Sequence, residues 1–464
     1  PYVLASFNNT KEMQAVLVSY QDNATMQELT AQALFGGLPI TGKLPVTSGN
    51  GMVCSSGLTR NEVNRFSFGL PEEAGLTSLK LKVVDSIMIS GIASGIFPGA
   101  QVLVAKDGMV VYRKSFGCQT YSVDIPVQND DLYDLASLTK MLSTTLAAMK
   151  LTDDGIIDPD QHLSYYLKSL NNSNKAFLTI RSIMAHQAGL QPYIPFYRKL
   201  MIGKEQDSSL IGRHYSIDFP VRVADGFYVT RNQPQFVIDS IIASPLLKKA
   251  EYKYSDLGFI MLGETISQLT DQPLSTYVQK SFYSKLGLRT MGYHPRDQFS
   301  ISRIAPTEND TVFRKQLVHG DVHDPTAAMM GGVAGHAGLF SDALDVAVIM
   351  QMLLQHGTYG GEVLLDSAVI AEYTKVQYPA NKNRRGMGFD KPSPAGEPGP
   401  SCDLVSPRSF GHSGFTGTYA WADPETGLVY VFLSNRVYPD AGNNKITQMN
   451  IRTIVQEAIY KAVN

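Results

Sequence analysis

The sequence predicts an α/β fold of the α+β kind: an antiparallel sheet flanked by terminal helices, with a mostly helical subdomain. Two patterns of apolar residues interrupted by a tight turn, near residues 107 and 425, predict hairpins on either side of a long helix-rich stretch. An amphipathic pattern near the C-terminus predicts a final helix. Strands and helices at both ends of a region, with helices between them, are typical of one antiparallel sheet with helices packed beside it.

The two hairpins are the clearest local predictions. The first joins residues 100–105 to 109–116 through an Asp-Gly turn, and the second joins residues 418–422 to 428–434 through a turn with a proline and a glycine. Asp-Gly between two apolar runs is a strong signal for a hairpin because both residues tolerate the left-handed backbone that tight turns need.

Two helices are predicted beside these strands, over residues 77–94 and from about residue 446 to residue 463. The apolar residues that recur at helical spacing in the first are Leu79, Val83, Val84, Ile87 and Met88. We therefore expect these five side chains to form its buried face.

The N-terminal region divides into two parts that precede the main domain at 71–464. Residues 2–7 and 15–20 read as short strands and residues 25–35 as a helix ended by Gly36-Gly37. Because this unit is too small to bury its own faces, residues 1–47 are predicted to be the tail of a larger α/β domain. Residues 48–70 are rich in Ser, Gly and Asn and predict a linker. The chain begins at Pro1, which suggests a processed end or a boundary inside a longer protein.

Composition excludes several classes of function. The 464 residues carry a net charge of −2 without basic clusters, which argues against nucleic-acid binding. Three cysteines with no C-x-x-C pair predict neither a disulfide framework nor a zinc site. No apolar run reaches the length needed to span a membrane.

A serine and a lysine three residues apart open a helical pattern that ends at Asp153-Asp154-Gly155. Residues at this spacing share a helix face, so Ser137 and Lys140 can bring hydroxyl and amine within hydrogen-bond reach. A serine needs a base to become a nucleophile, and a lysine can be that base only if burial keeps it neutral. The alternative is that Ser137 has no catalytic role and only caps the start of the helix.

Two later segments offer partners for this pair. Tyr254 precedes an apolar helix predicted over residues 259–269 and could share a proton with Lys140, although taken alone it reads as a core tyrosine. His412 enters a strand within the segment Gly411-His412-Ser413-Gly414, where it could place a cationic or proton-donating group beside the strand edge. The alternative there is a bulge with a surface histidine.

The ordered set Ser137-Leu138-Thr139-Lys140, Tyr254-Ser255-Asp256 and His412-Ser413-Gly414 resembles the three motifs of serine β-lactamases and penicillin-binding proteins, S-x-x-K, Y-x-N and K-T-G. The resemblance covers about residues 70–464, is greatest to the class C branch that includes esterases and peptidases, and implies a β-lactamase/transpeptidase-like fold. It implies Ser137 as nucleophile, Lys140 and Tyr254 as the groups that move its proton, and His412 as support for the substrate.

The resemblance also implies a binding surface. By analogy the backbone amides of Ser137 and Phe415 form the oxyanion hole, without a role for the phenyl ring. The remaining residues expected at the substrate are Asp256, Ser413, Gly414 and His323. No metal and no organic cofactor are implied.

Two departures from the family pattern bear on the reaction. Asp256 stands where the family often has Asn, and it would pair with Lys140 or with a substrate N–H. His412 stands where many members have Lys, and histidine is a weak partner for a carboxylate at neutral pH. Both changes favour an esterase, amidase or peptidase over an efficient β-lactamase.

The N-terminal tail suggests a substrate. Residues 31–37 with residues 42–46 resemble the end of the C-terminal domain of family 3 glycoside hydrolases. Such a fusion resembles muropeptide-recycling enzymes, and it implies a muramyl-peptide amidase or D-amino-acid peptidase beside an upstream glycosidase domain, outside the cytoplasm. The alternatives are a carboxylesterase or weak β-lactamase, and, in another class, a catalytically dead module that binds peptidoglycan.

One histidine-rich segment has no assigned role. Residues 318–325 hold two histidines and two aspartates, which could be metal ligands, but the spacing is more typical of a capped loop. His323 and His336 are expected near the pocket. His186, at a predicted helix end, is expected to bond the carbonyls of the last turn.

Overall fold

Six strands from the two ends of the main domain form one sheet in the computed structural model, which describes residues 13–48, 52–122, 124–249, 251–394 and 396–464. They are β1 Ser67–Phe68, β2 Gly99–Lys106, β3 Met109–Gly117, β4 Phe410–Ser413, β5 Tyr419–Asp423 and β6 Leu428–Ser434. Their order is β1-β3-β2-β6-β5-β4, so both predicted hairpins are confirmed and meet where β2 pairs with β6.

The sheet is mixed rather than wholly antiparallel. β1 runs parallel to β3, with Ser67 opposite Met109, whereas the other four pairings are antiparallel. β1 lies within the predicted linker 48–70, so the last residues of that segment belong to the sheet. A two-residue strand carries too short an alternation to be recognised in a sequence.

The other elements lie between and beside these strands. The longer helices are α1 Ala24–Leu34, α2 Ser78–Ala93, α3 Leu146–Asp153, α4 Gln233–Ala243, α5 Leu257–Thr270, α6 Ala343–Leu354, α7 Ser367–Thr374 and α8 Ile451–Lys461. Shorter α-helices span Leu163–Tyr166, Ile180–Met184, Leu274–Val278, Ser284–Leu286, Pro325–Met329 and Lys445–Gln448. Short strand pairs include Tyr133–Asp134 with Phe340–Ser341, and a small three-stranded sheet is formed by Ile211–Gly212, Val221–Ala224 and Phe227–Val229.

Helices cover both faces of the sheet. α2 and α8 pack together on one face, while α6 and the helical subdomain cover the other. Successive residues of β2 therefore enter different cores: Val102 and Val104 face α2 and α8, and Leu103 faces the helical side. A strand buried on both faces carries an unbroken apolar run, as this one does.

Two helix predictions need correction. In α2 the buried side chains are Leu81, Val84 and Met88, whereas Leu79 and Val83 are 72% and 51% exposed. Apolar residues occur all round this helix, so its periodicity does not identify the buried face. The predicted helix 446–463 is broken at Asn450, whose φ of +49° is left-handed.

The N-terminal segment is partly as predicted. α1 confirms the helix expected at 25–35, and the side chain of Asn23 caps it by accepting from the amide of Met26. Residues 15–20 form no strand, because their backbone has no ladder partner in the described structure. The strand predicted at 2–7 lies outside the described residues. Among the residues described, no helix is both long and apolar enough to cross a membrane.

Candidate active site

Ser137 lies at a strained turn between a short strand and a helix. The strand Tyr133–Asp134 ends just before it, and Ala136 has a left-handed φ of +46°, which is unfavourable for a residue with a Cβ. Asp134 stabilises the turn because its Oδ1 accepts from the amide of Ala136 at 2.8 Å. The following turns, Lys140–Thr145, are π-helical and then continue into α3. Strain of this kind is typical of functional positions.

Three predicted groups meet at the Ser137 hydroxyl. Lys140 Nζ donates to Ser137 Oγ at 2.8 Å, and the Tyr254 hydroxyl donates to the same oxygen at 3.0 Å. The first contact is local, across one turn, whereas the second joins residues 117 positions apart. The structure therefore brings Ser137, Lys140 and Tyr254 together as the sequence predicted.

Lys140 is buried and fully hydrogen-bonded. Its three acceptors are Ser137 Oγ at 2.8 Å, the carbonyl of His336 at 3.2 Å and Asp256 Oδ1 at 2.7 Å. An ammonium group has three hydrogens, so no donor is left over. Burial is the largest single influence and opposes the charge, but the Asp256 carboxylate and Tyr254 together outweigh it, so the pKa of Lys140 lies above its usual value.

Burial therefore does not lower the pKa of Lys140, as it would have to if Lys140 were the base. The deciding residue is Asp256, for which the sequence left two partners open. In the structure it pairs with Lys140 and keeps it charged.

Contacts with residues distant in the sequence hold Tyr254 in place. Its ring packs on that of His186, with centroids 4.3 Å apart, and the guanidinium of Arg385 lies 5.2 Å from its centre. His186 does not bond the carbonyls of its own last turn as predicted. Its Nδ1 accepts from the amide of Ser255 at 3.1 Å, which fixes the segment that carries Tyr254.

The backbone N–H groups of Ser137 and Phe415 are both free to donate a hydrogen bond to a substrate oxygen. Within the described residues neither donates a hydrogen bond to another group of the chain. Between them the chain is tightly packed at Gly414, where a Cβ would come within 2.0 Å of Thr418 Oγ1 and 2.6 Å of the carbonyl of Leu135. Only glycine allows β4 to end this close to the Ser137 turn, which is the arrangement expected of an oxyanion hole.

His412 does not place a cationic group at the strand edge, which was one of the two roles that the sequence allowed. It is 2% exposed, does not line the cavity above Ser137, and its Nδ1 bonds the carbonyl of Ser413 at 2.8 Å. Burial, followed by the charges of Arg385 and Lys140, holds the pKa of His412 well below its usual range. The ring lies 6.0 Å from that of Tyr254, so the structure places it behind the tyrosine as a neutral packing group. Its burial depends on tertiary contacts that no local pattern reports.

The two buried histidines predict an acid-sensitive fold. The pKa of His186 is lowered in the same way, by burial and then by Arg385. Below about pH 6.5 the unfolded chain binds protons that the folded chain does not, so the free energy of unfolding falls as the pH falls. We expect a slope of about 1 kcal/mol per pH unit for each histidine between pH 6.5 and 5.5, measured by urea unfolding.

His412→Asn should reduce that slope by the contribution of one histidine, about 1 kcal/mol per pH unit. His356→Asn is the control, because His356 is exposed and should leave the slope unchanged. A slope that is the same in wild type and His412→Asn would show that His412 is not a buried neutral imidazole.

A cavity of about 730 Å³ opens above Ser137. Among its lining residues are the predicted Asp256, Ser413, Gly414, Phe415 and His323. The His323 ring stacks on that of Phe415 with centroids 5.6 Å apart, and its Nε2 lies 2.8 Å from Glu308 Oε2. The Phe415 side chain is 54% exposed, so the phenyl ring, which the sequence did not implicate, forms part of the wall.

Several residues at the site were missed by the sequence analysis. Asp134 accepts from the amides of Ala136 and His323 and so joins the Ser137 turn to the His323 loop. Arg385, Arg436 and Arg452 also surround the site. The position of Asp134 directly before the Ser137 motif was a usable signal, whereas the arginines come from separate segments without a recognisable spacing.

The histidine-rich loop 318–325 is tied into the protein by hydrogen bonds. His319 Nε2 bonds the carbonyl of Ile304 at 2.6 Å, and Asp324 caps the helix Pro325–Met329 and pairs with His336. Over the described part of the chain, no three His, Cys, Asp or Glu side chains come together as a metal site.

Comparison with known proteins identifies the family to which the chain is similar. The model of the family described as "Beta-lactamase" matches residues 84–451. A curated protein of Escherichia coli strain K12, named "Putative D-alanyl-D-alanine carboxypeptidase", is 31% identical over 392 residues, which are 79% of this chain and 84% of that protein.

Solved structures show the same fold at lower identity. "EstCE1, a hydrolase with promiscuous acyltransferase activity" matches with a TM-score of 0.59 and 20% identity over 82% of this chain and 99% of that one. A penicillin-binding protein homologue from Caulobacter crescentus matches with a TM-score of 0.56 and 19% identity, over 78% and 93% of the two chains. These likenesses concern the fold, which agrees with the sequence prediction.

Proposed function

The chain belongs to the beta-lactamase family of serine hydrolases, and on this basis we propose that it cleaves an amide in cell-wall-derived peptides through an acyl-enzyme on Ser137. The bond is the lactyl–L-Ala amide of a muramyl peptide or a D-amino-acid peptide bond. The observation that carries the proposal is the placement of Ser137 Oγ beneath the cavity, within 2.8 Å of Lys140 Nζ and 3.0 Å of Tyr254 Oη.

In the first half of the reaction Tyr254 Oη first releases its own proton to solvent, and Ser137 Oγ then attacks the carbonyl carbon while Tyr254 Oη takes the hydroxyl proton. The carbonyl electron pair moves onto oxygen, which the amides of Ser137 and Phe415 stabilise. The C–N bond then breaks as Tyr254 returns the proton to the leaving nitrogen. In the second half, water attacks the ester with Tyr254 again as base, and Ser137 Oγ leaves and recovers its proton.

The role of base falls to Tyr254 because Lys140 has no free electron pair. The pKa of Lys140 is raised, and a charged ammonium group cannot accept the proton of Ser137. Tyr254 is the other group in hydrogen-bond contact with Ser137 Oγ in the described structure. The Lys140 ammonium then stabilises the negative charge that passes between the two oxygens.

Asp256→Asn tests this division of roles. The exchange keeps a hydrogen-bond acceptor but removes the strongest of the charges that oppose the effect of burial, so the pKa of Lys140 should fall. If catalysis needs a charged Lys140, kcat at pH 8 should drop about 10- to 100-fold and the alkaline limb of the pH–rate profile should move to lower pH.

The opposite result would assign the base to Lys140. A neutral lysine would then be more abundant in Asp256→Asn, so the acidic limb would move to lower pH and activity would rise. Asp239→Asn, an exposed carboxylate on α4, is the matched control and should leave the profile unchanged.

The substrate class is supported by the name of the Escherichia coli relative, "Putative D-alanyl-D-alanine carboxypeptidase", and by the cavity of about 730 Å³ above Ser137, which has room for a peptide. The test is a product assay by mass spectrometry on defined muropeptides. One substrate carries the intact muramyl lactyl–L-Ala amide, and the other ends in D-Ala-D-Ala.

We expect one of these amides to be cleaved by the wild type and neither by Ser137→Ala. Cleavage of short esters with both amides left intact would replace the proposal with a carboxylesterase. No turnover of either class would favour the dead binding module.

An upstream glycosidase domain and an extracytoplasmic location are part of the same proposal. Their basis is the sequence resemblance of residues 1–47, which lie before the matched range 84–451. The sequence of the complete gene tests both: an upstream glycosidase domain and a secretion signal would support them, and the absence of both would contradict them.

A further inference from the structure

A histidine and a glutamate on the cavity wall form a pair that the proposed reaction does not use. His323 Nε2 lies 2.8 Å from Glu308 Oε2, and both residues line the cavity above Ser137. A carboxylate can only accept a hydrogen bond, so Nε2 carries the hydrogen and Nδ1 of the neutral ring keeps its lone pair. A carboxylate on one ring nitrogen therefore fixes both the orientation and the tautomer of the imidazole.

The second ring nitrogen of His323 is open to the cavity. Nδ1 makes no hydrogen bond within the described part of the chain, and it is not one of the buried side-chain atoms there that lack a partner. His336 provides the contrast, because its Nδ1 is also without a partner but is buried. His323 is only 8% exposed, and the small surface that it exposes on the cavity wall therefore includes a hydrogen-bond acceptor.

The position of this imidazole is tied to that of Ser137. The amide of His323 donates to Asp134 Oδ2 at 2.7 Å. The other oxygen of this carboxylate, Oδ1, accepts from the amide of Ala136 in the Ser137 turn. The ring of His323 stacks on that of Phe415, whose amide is the other expected oxyanion donor, with an angle of 24° between the two planes. One carboxylate and one aromatic contact therefore place the imidazole beside the oxyanion hole.

The second half of the proposed reaction needs a polar group at this place. The acyl-enzyme would hold its carbonyl oxygen at the amides of Ser137 and Phe415, so the attacking water has to lie inside the cavity, within about 3 to 3.5 Å of the carbonyl carbon. An ordered water needs about two to four polar partners. Tyr254 takes one hydrogen of this water, and a second acceptor has to hold the other.

The carboxylates on the cavity wall are less suited to this task than the imidazole. In the described chain each of them is paired with a cation or a histidine: Asp256 with Lys140, Asp310 with Arg314, Asp324 with His336 and Glu308 with His323. A carboxylate beside the reacting carbonyl would also oppose the negative charge that develops on the carbonyl oxygen. A neutral imidazole nitrogen accepts a hydrogen bond without adding a charge.

We propose that His323, oriented by Glu308, binds the water that hydrolyses the acyl-enzyme. The water oxygen bonds to the acyl carbon while the carbonyl electron pair moves onto oxygen. One proton of the water passes to Tyr254 Oη, and the other stays on the new hydroxyl group, hydrogen-bonded to His323 Nδ1. When the carbonyl re-forms, the bond between carbon and Ser137 Oγ breaks, and Oγ takes the proton from Tyr254. The proposal rests on the proposed acyl-enzyme and adds a residue to its second half.

The test measures acylation and deacylation separately with p-nitrophenyl acetate. Release of p-nitrophenol in the first turnover reports acylation of Ser137, and decay of the acetyl-enzyme, followed by rapid-quench mass spectrometry, reports deacylation. His323→Phe keeps a ring on Phe415 but removes the acceptor, so we expect unchanged acylation and about 10- to 100-fold slower deacylation, as for a misplaced reactant. His214→Phe is the matched control, because His214 is exposed and should leave both rates unchanged.

Glu308→Gln gives a second test that leaves the imidazole in place. The amide of glutamine can donate as well as accept, so it no longer fixes the hydrogen on Nε2, and a ring with its hydrogen on Nδ1 cannot accept from the water. We expect deacylation to slow by about 3- to 10-fold, as for the loss of one hydrogen bond, with acylation unchanged. A residue that only supported the fold would change both rates or neither, and circular dichroism confirms that the variants are folded.

Equal deacylation rates in the wild type and His323→Phe would overturn the proposal. Slower acylation with unchanged deacylation would overturn it too, because Nδ1 would then bind the substrate rather than the water, and so would a wild type that releases no acetate. The two proposals fail separately. Deacylation that depends on His323, with both muropeptide amides left intact, retains the water site and rejects the amidase, whereas muropeptide cleavage with unchanged deacylation in His323→Phe does the reverse.

Discussion

Ser137→Ala is expected to lower kcat about 10⁴-fold or more while leaving the protein folded and able to bind substrate. Without Oγ no acyl-enzyme forms, and Lys140 and Tyr254 have no proton to move. Ser137 is partly exposed at the cavity floor, so the substitution leaves no buried void. The measurement is steady-state hydrolysis of whichever muropeptide the wild type cleaves.

Ser86→Ala, an exposed serine on α2, is the control and should retain full activity. Residual activity of Ser137→Ala within about tenfold of the wild type would contradict the account, because removing a nucleophile costs far more than that.

Tyr254→Phe is expected to lower kcat about 10²- to 10⁴-fold with little change in KM, as for loss of a general base. The phenyl ring would keep its packing on His186, so the loss should come from the hydroxyl alone. Lys140 would remain charged by Asp256 and could not replace the missing base.

Tyr252→Phe, two residues away on the same segment, provides the matched control. Tyr252 contacts Arg385 rather than Ser137, so its activity should stay within a few-fold of the wild type. If the two tyrosine variants lose activity equally, Tyr254 does not act as the base.

The sequence predicted the parts of this site that local geometry determines. Ser137 and Lys140 are one helical turn apart, so their contact follows from spacing alone. Tyr254 lies 117 residues from Ser137, and only the resemblance of its motif to a known family connected the two. The hairpins were predictable for a similar reason, because each depends on a turn and its flanking residues.

Charge states were not predictable, since they depend on burial. The sequence left open whether Lys140 is neutral enough to act as the base and whether His412 is cationic; in the structure the pKa of Lys140 is raised and that of His412 is lowered. Asp256 compensates the lysine, whereas Arg385 and Lys140 suppress charge on the histidine. The same limit applies to α2, where apolar residues surround the helix and its packing against the sheet alone decides which of them are buried.

The most direct test of the account is mass spectrometry of the whole chain after incubation with a fluorophosphonate. We predict one adduct per chain, located by peptide mapping on Ser137 and absent from Ser137→Ala. No adduct, or an adduct on another serine, under conditions that label a related serine hydrolase of the family, would contradict the assignment of Ser137 as nucleophile.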